Sequence, residues 1–392
     1  MATAAMSGAP GRVPLAWRQL VRDPLRLAAA VAGVGFATLL MLMQLGFRVA
    51  LLESAVRYQE RLEYDLVVLS RQTVFMGITH PFPRQRLYQA AGLAAVDWVA
   101  PLYGYQQHFE NPWEHNTRNI MVVGVDPRRP VLRTPGVAES LALLHRPDAA
   151  LFDRLSRVEF GPVAERVARG EPVAAEIAGK RVEIVGLFEL GSSFGLDGNV
   201  LVSEEGFLRL FPHRSQGAID LGLIKLVPGS DAEAVRASLA STLDRDVEVL
   251  TRDGFVRREL AYWEGTTPIG YVFGFGLVMG FVVGAIIVYQ ILFTDVADNR
   301  RQYATLKAIG WRDGALAGIV VRQAVMLALL GFVPGTLLAL VAFRIASLAL
   351  GMPVRVTAGP LLVVFAATLA MCVVAGLGAL RKLRDADPAE LF

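Results

Sequence analysis

Hydrophobic positions are unevenly distributed along this chain. Four stretches are apolar almost without interruption, and each is long enough for the roughly 20 helical residues that cross a bilayer. They predict spans at 27–52, 268–294, 323–343 and 356–380, and the cores 27–47 and 269–294 hold no charged residue. Between the first two spans, at 53–267, the pattern changes. Alternating or β-branched runs at 65–70, 96–107, 119–125, 181–188, 199–203, 221–227 and 247–251 predict strands. Helical spacing at 84–91 and 231–243 predicts helices, with Ser230 as N-cap of the second and Glu233 completing a capping box. Turn pairs Asn111-Pro112, Asp126-Pro127 and Asp197-Gly198 separate these runs. The expected fold is an α-helical membrane protein with four transmembrane helices. A large mixed α/β extracytoplasmic (periplasmic) domain is expected between helices 1 and 2.

Composition agrees with this division. The chain is 54% hydrophobic and 19% charged, with a mean hydropathy of +0.43, whereas soluble domains average about 25% charged residues. That excludes a disordered chain. A net charge of +3, without basic residues clustered among aromatics, argues against nucleic acid as a partner. The single cysteine, Cys372, lies in an apolar run and reads as a small buried hydrophobe.

Basic residues set the expected orientation. Arg12, Arg18, Arg22 and Arg26 precede span one; Arg300, Arg301, Lys307, Arg312 and Arg322 lie between spans two and three; Arg381, Lys382 and Arg384 follow span four. The loop 344–355 holds only Arg344 and Arg355. Both termini, 1–26 and 381–392, and the loop 295–322 are therefore expected in the cytoplasm. The 53–267 segment, with 24 Lys/Arg against 29 Asp/Glu, is expected outside. Span one is too long for a signal-peptide core and no clear A-x-A site follows it, so an uncleaved anchor is expected. Before it, Leu15, Trp17, Leu20, Val21 and Leu25 alternate with Arg18, Arg22 and Arg26, which suits an interfacial amphipathic helix. A plain basic flank is the competing reading.

Catalytic signatures are missing. Gly179-Lys180 lacks the rest of a P-loop, and neither H-E-x-x-H nor G-x-S-x-G occurs. His108, Glu110, Glu114 and His115 are the one dense polar cluster, but Asn111-Pro112 breaks any helix that would align them as metal ligands. A solvated loop is expected there, and no metal. Ser192, Ser193, Asp197 and Asn199 fall in a Gly-rich turn. The spans carry no interior Asp, Glu, Lys or His, which argues against an ion-coupled carrier. Gly276, Gly280 and Gly284 form a G-x-x-x-G-x-x-x-G stripe for close helix approach, within the chain or across a dimer. In the cytoplasmic loop, Arg300, Arg301, Tyr303, Leu306, Lys307 and Ile309 form a short amphipathic pattern that Gly310 ends. Such an exposed helix suits docking in a groove of a soluble partner.

At this loop the chain becomes recognisable. Tyr289-Gln290-Ile291-Leu292-Phe293-Thr294-Asp295-Val296 and Tyr303-Ala304-Thr305-Leu306-Lys307-Ala308-Ile309-Gly310 resemble FtsX/MacB-type (type VII) ABC transporter permeases, and more closely the DevC family. Further matching pieces run in order along nearly the whole chain. Among them are Leu15-Ala16-Trp17-Arg18-Gln19-Leu20, Val99-Ala100-Pro101-Leu102-Tyr103, Asp197-Gly198-Asn199 and Arg381-Lys382-Leu383-Arg384.

The resemblance implies a homodimeric permease subunit in a bacterial inner membrane. Its partners would be a separate DevA- or LolD-like ATPase, a DevB-like membrane-fusion adaptor and a TolC-like outer-membrane channel. It implies that ATP and Mg bind the ATPase and no cofactor binds this chain. It also implies mechanotransmission, in which ATP-driven movement of the spans moves the outer domain to export a lipid, glycolipid or other amphiphile. Residues 298–310 would be the coupling helix. The alternative is an FtsX-like regulator that activates an envelope enzyme without transport; a membrane-anchored enzyme is disfavoured by the missing catalytic set.

Overall fold

The computed structural model describes residues 17, 21–193, 195–299, 305, 313–350 and 357–384. The chain separates into two compact units, one built from the apolar helices and one from Ala50–Ile269 with Leu350–Pro353.

The membrane unit holds four helices long and apolar enough to cross a bilayer. They are Pro24–Ala55, Ile269–Asp298, Asp313–Leu350 and Ala358–Arg384. The first and third run past the expected span limits at both ends and the second and fourth at their C-terminal ends, because helical structure continues beyond the apolar stretch that marks the span. The first begins inside the stretch read as an interfacial helix. Asp23 accepts the Arg26 N–H at 3.1 Å, a cap for the open first turn. Pro24 tolerates that turn because the turn needs no donor from it. The third helix passes through Pro334 without ending. Cys372 is buried in the shared core with Ala30, Val34, Leu292, Leu327 and Met371.

The α/β domain contains strands β1 (Leu66–Ser70), β2 (Phe82–Pro83), β3 (Val96–Glu110), β4 (Thr117–Val125), β5 (Ala149–Asp153) and β6 (Val173–Ile177). It continues with β7 (Lys180–Phe188), β8 (Gly198–Ser203), β9 (Ala218–Ile219), β10 (Leu221–Leu226) and β11 (Val247–Thr251). Its principal helices are α1 (Arg57–Arg61), α2 (Gln85–Ala91), α3 (Glu204–Leu210), α4 (Ala232–Thr242) and α5 (Arg252–Gly265).

Two layers share one strand. The succession β1-α2-β3-β10-α4-β11 is a split βαβ arrangement whose strands lie in the order β11-β1-β10-β3, each antiparallel to its neighbour. The second half of β3 leaves this layer and pairs with β4. From there β8, β5, β7 and β6 follow, and β6 returns to β3 through Phe109↔Ile177 and Glu110↔Glu176. Six strands therefore close into a small barrel inserted between β3 and β10, and closure leaves that layer no open edge. Phe109, Phe152 and Phe160 pack together with ring centroids 5.3–5.7 Å apart.

Both faces of the central strands are buried. Leu66 and Val68 enter one core and Val67 and Leu69 the other. This explains why β1 reads as an unbroken apolar run rather than an alternation. Every predicted strand is present within a few residues of its expected limits. Among the described residues, four strands escaped the sequence reading: the two-residue strands β2 and β9, too short to carry a pattern, and β5 and β6, where alanine fills positions that β-branched residues would have marked. One capping assignment needs correction. Helix α4 is capped by Asp231, whose carboxylate accepts the Glu233 and Ala234 N–H groups, and not by Ser230.

Candidate functional site

In the membrane unit, small residues set the geometry. The stripe Gly276, Gly280, Gly284 lies on the first helix: added Cβ atoms would run into Gln44, come within 3.1 Å of Met41, and meet Ala37 and Met371. A second close approach was not anticipated from the sequence. Gly35 of the first helix faces Gly331 and Gly335 of the third, backbone against backbone. Its signal was available as G-x-x-x-G at 331–335. Thr38 and Thr368 hydroxyls meet at 3.3 Å in the interior. Near the end of the second helix, Asp298 pairs with Arg26 at 2.8 Å. Asp295 there accepts from Gln323 Nε2 at 3.3 Å.

Of the expected coupling residues, Arg300, Arg301, Tyr303, Leu306, Lys307, Ile309 and Gly310 lie outside the described residues, as does Arg18 of the interfacial helix. Trp17 and Arg22 are exposed.

In the α/β domain, α1 follows the first long helix in sequence and α5 precedes the second. Each carries side chains into a buried polar network. On α1, Tyr58 Oη donates to Asn199 Oδ1 at 2.8 Å, and Arg57 Nη1 donates to the Ser192 carbonyl at 2.9 Å. The hub is Asp153 at the end of β5, fully buried. Its Oδ2 accepts from Gly191 N and Asn199 Nδ2, both at 2.7 Å. Its Oδ1 accepts from Leu190 N at 3.0 Å and Leu155 N at 3.1 Å. Burial pushes the Asp153 carboxyl above the ordinary carboxylate range, with these donors pulling the other way. Gly191 sits at φ +97° beside the Arg57 guanidinium, a conformation and a space that only glycine fits. Asn199 therefore acts inside this network, while Asp197 pairs outside it with Arg157 at 3.1 Å.

On α5, Glu259 is 3% exposed. One carboxylate oxygen accepts from Met76 N at 3.1 Å and the other from Trp263 Nε1 at 3.2 Å. Phe75 stacks on Tyr262 at 4.7 Å, so residues 71–80 lie fastened along the helix. The sequence reading passed over Glu259, since a lone Glu on a short amphipathic helix carries no local mark of burial.

The His108 cluster is a hairpin tip. Asn111 Oδ1 caps it by accepting from Trp113 N at 2.9 Å, and His115 Nδ1 meets Glu110 at 2.9 Å. Among the described residues no three His, Cys, Asp or Glu gather as a metal site. Arg84, Glu204, Arg128 and Asp126 line a solvent-open cleft, where Arg84 pairs with Glu204 and Arg128 with Asp126, and the buried Tyr103 donates to Glu204 from behind.

Four helices long and apolar enough to cross a membrane, with the α/β domain inserted in sequence between the first two, define a polytopic membrane-protein architecture. Comparison with known proteins agrees. Residues 274–388 match the FtsX-like permease C-terminal family. An uncharacterized ABC transporter permease of Mycobacterium tuberculosis, present in two strains, is 23% identical over 321 residues, 81% of this chain and 80% of the relative. Residues 274–388 thus resemble an FtsX-like permease domain, and the chain as a whole is similar to an ABC transporter permease. Among solved structures, the periplasmic region of MacB from Actinobacillus actinomycetemcomitans covers 49% of this chain and 91% of its own length at 10% identity and a TM-score of 0.36. The extracellular domain of YknZ, a noncanonic ABC-type transporter from Gram-positive bacteria, covers 48% and 99% at 11% identity and a TM-score of 0.33.

Proposed function

We propose that this chain is the non-catalytic permease subunit of a DevC/MacB-like exporter. A separate ATPase docks on residues 300–310, and the two long helices carry its motion to the α/β domain. In this reading the protein works as a homodimer in the inner membrane with both termini in the cytoplasm. An adaptor and an outer-membrane channel complete the assembly, and the cargo is a lipid-like amphiphile.

The observation that carries the reading is the FtsX-like match, which runs through the loop 295–322 and the helices on both sides of it. Two features support it. The fully buried polar side chains described in the membrane unit, Thr38, Gln323 and Thr368, are uncharged. These three side chains cannot carry a proton relay for an ion gradient, which suits energy entering from a partner. Helices α1 and α5 also anchor in buried networks, which lets a displacement at either helix reach the domain.

The test is co-purification of the full chain with an ABC ATPase from the cells that make it, with and without residues 301–309. Loss of both binding and export on deletion is expected. Retention of both overturns the coupling assignment. Cells lacking the chain that export normally but misregulate a cell-wall hydrolase would replace the exporter with the regulator.

A further inference from the structure

Glu259 is a buried carboxyl without a dedicated counter-ion. Arg258, next to it on α5, is engaged by Glu248 and by the Thr73 carbonyl. From α1 the facing group is Gln59, neutral and fully buried, whose Nε2 and Oε1 both lack a hydrogen-bond partner. From residues 71–80 the facing group is the Met76 amide, while Arg71 of that segment donates to the Val247 carbonyl. Arg57 of α1 is turned toward Leu190 and Ser192. Three segments thus meet at one carboxyl: the helix after the first span, the helix before the second, and the loop laid across them.

We propose that Glu259 is a proton-operated positioning residue, which in its neutral form fastens α1 and residues 71–80 to α5 and in its ionised form releases the loop. The chemistry on the page runs in that direction. A protonated Glu259 accepts from Met76 and Trp263 and still has an O–H to donate to the orphaned Gln59 Oε1. The ionised form keeps the Met76 and Trp263 donors but leaves a buried charge with no ion-pair partner in contact, a desolvation cost that is relieved when water reaches it. The nearest route is through the middle of the loop, which the Phe75–Tyr262 stack and the backbone contacts at Thr73 and Met76 hold to α5, while Arg71 and Thr79 tie its ends to the sheet. Burial accordingly pushes the carboxyl from 4.5 up to about 7, within the range an external medium samples. The latch is a property of this chain and does not depend on the exporter reading.

Hydrogen–deuterium exchange on the full-length protein in nanodiscs, corrected for intrinsic rates, tests it between pH 5.5 and 8.5. Protection of the peptide covering 71–80 is expected to fall about tenfold above pH 7 in the native chain. Glu259→Gln keeps the Met76 bond, gives up the Trp263 contact and cannot ionise, so its protection should be lower but flat with pH. Thermal unfolding of both proteins over the same range gives a second readout, flattened by the same substitution. A native profile without pH dependence, or the same profile in Glu259→Gln, overturns the proposal.

Discussion

The two units of this chain solve packing in different solvents. In the membrane unit the helices have lipid as an equal alternative to one another, so apolar contact alone does not select a partner. Shape does: Gly35 against Gly331 and Gly335, and Gly284 against Ala37. In the α/β domain the two apolar cores supply attraction by leaving water. Specificity there is added by buried carboxyls, Asp153 and Glu259, each holding segments distant in sequence. One unit is keyed by missing atoms and the other by satisfied polar ones, and among the described residues the fully buried carboxyls belong to the second.

The largest effect that would break this contrast is expected at the backbone crossing. Gly335→Leu places a branched side chain against the Gly35 carbonyl and Thr38, where backbone cannot yield. Overpacking costs about 1–3 kcal/mol even where neighbours can shift, and here the four-helix unit should fail to form. Monodisperse protein after detergent extraction is the measure, and an unchanged yield and Tm would show that lipid, not shape, holds these helices.

The polar side of the contrast comes next. Asp153→Ala leaves four donors without an acceptor and should cost about 3 kcal/mol. Asp153→Asn should rescue little, because its amide nitrogen would face N–H groups. An asparagine variant as stable as the native chain would mean that volume rather than hydrogen bonding makes this hub.

What the sequence disclosed follows the same division. Continuous apolar runs located all four long helices, since a bilayer demands a local and uninterrupted signal. Strands such as β1 and β11 were legible because both obey a local pattern. Asp153, Glu259 and Gln59 were not, because their meaning comes from partners up to 183 positions away. The β5 and β6 strands carry paired alanines where β-branched residues would have marked a strand, and the α4 cap moved by one position between two residues that both cap well.

A third test uses pH. Both buried carboxyls titrate above the ordinary carboxylate range, Glu259 at about 7. A group raised in the folded state stabilises fully below its unfolded value, and that stability is lost as pH rises through the folded value. The α/β domain should therefore melt lower at pH 8 than at pH 6, by an amount on the order of 2 kcal/mol. The four-helix unit should show no matching trend. A domain that gains stability over this interval would place the controlling groups elsewhere.

The smallest effect probes whether hydrogen bonds matter in the membrane unit at all. Thr38 and Thr368 form a buried hydroxyl pair at 3.3 Å, on the first and fourth helices. In lipid such pairs contribute about 0.6 kcal/mol on average, because the separated helices find other partners. Thr368→Val preserves the volume and removes the hydroxyl. It should lower stability by about that much, and Thr38→Val on top of it should add little, since each substitution removes the same bond. A coupling energy near that of the Asp153 hub would erase the contrast between the two units. A value near zero would leave the glycine contacts as the sole source of specificity among these helices.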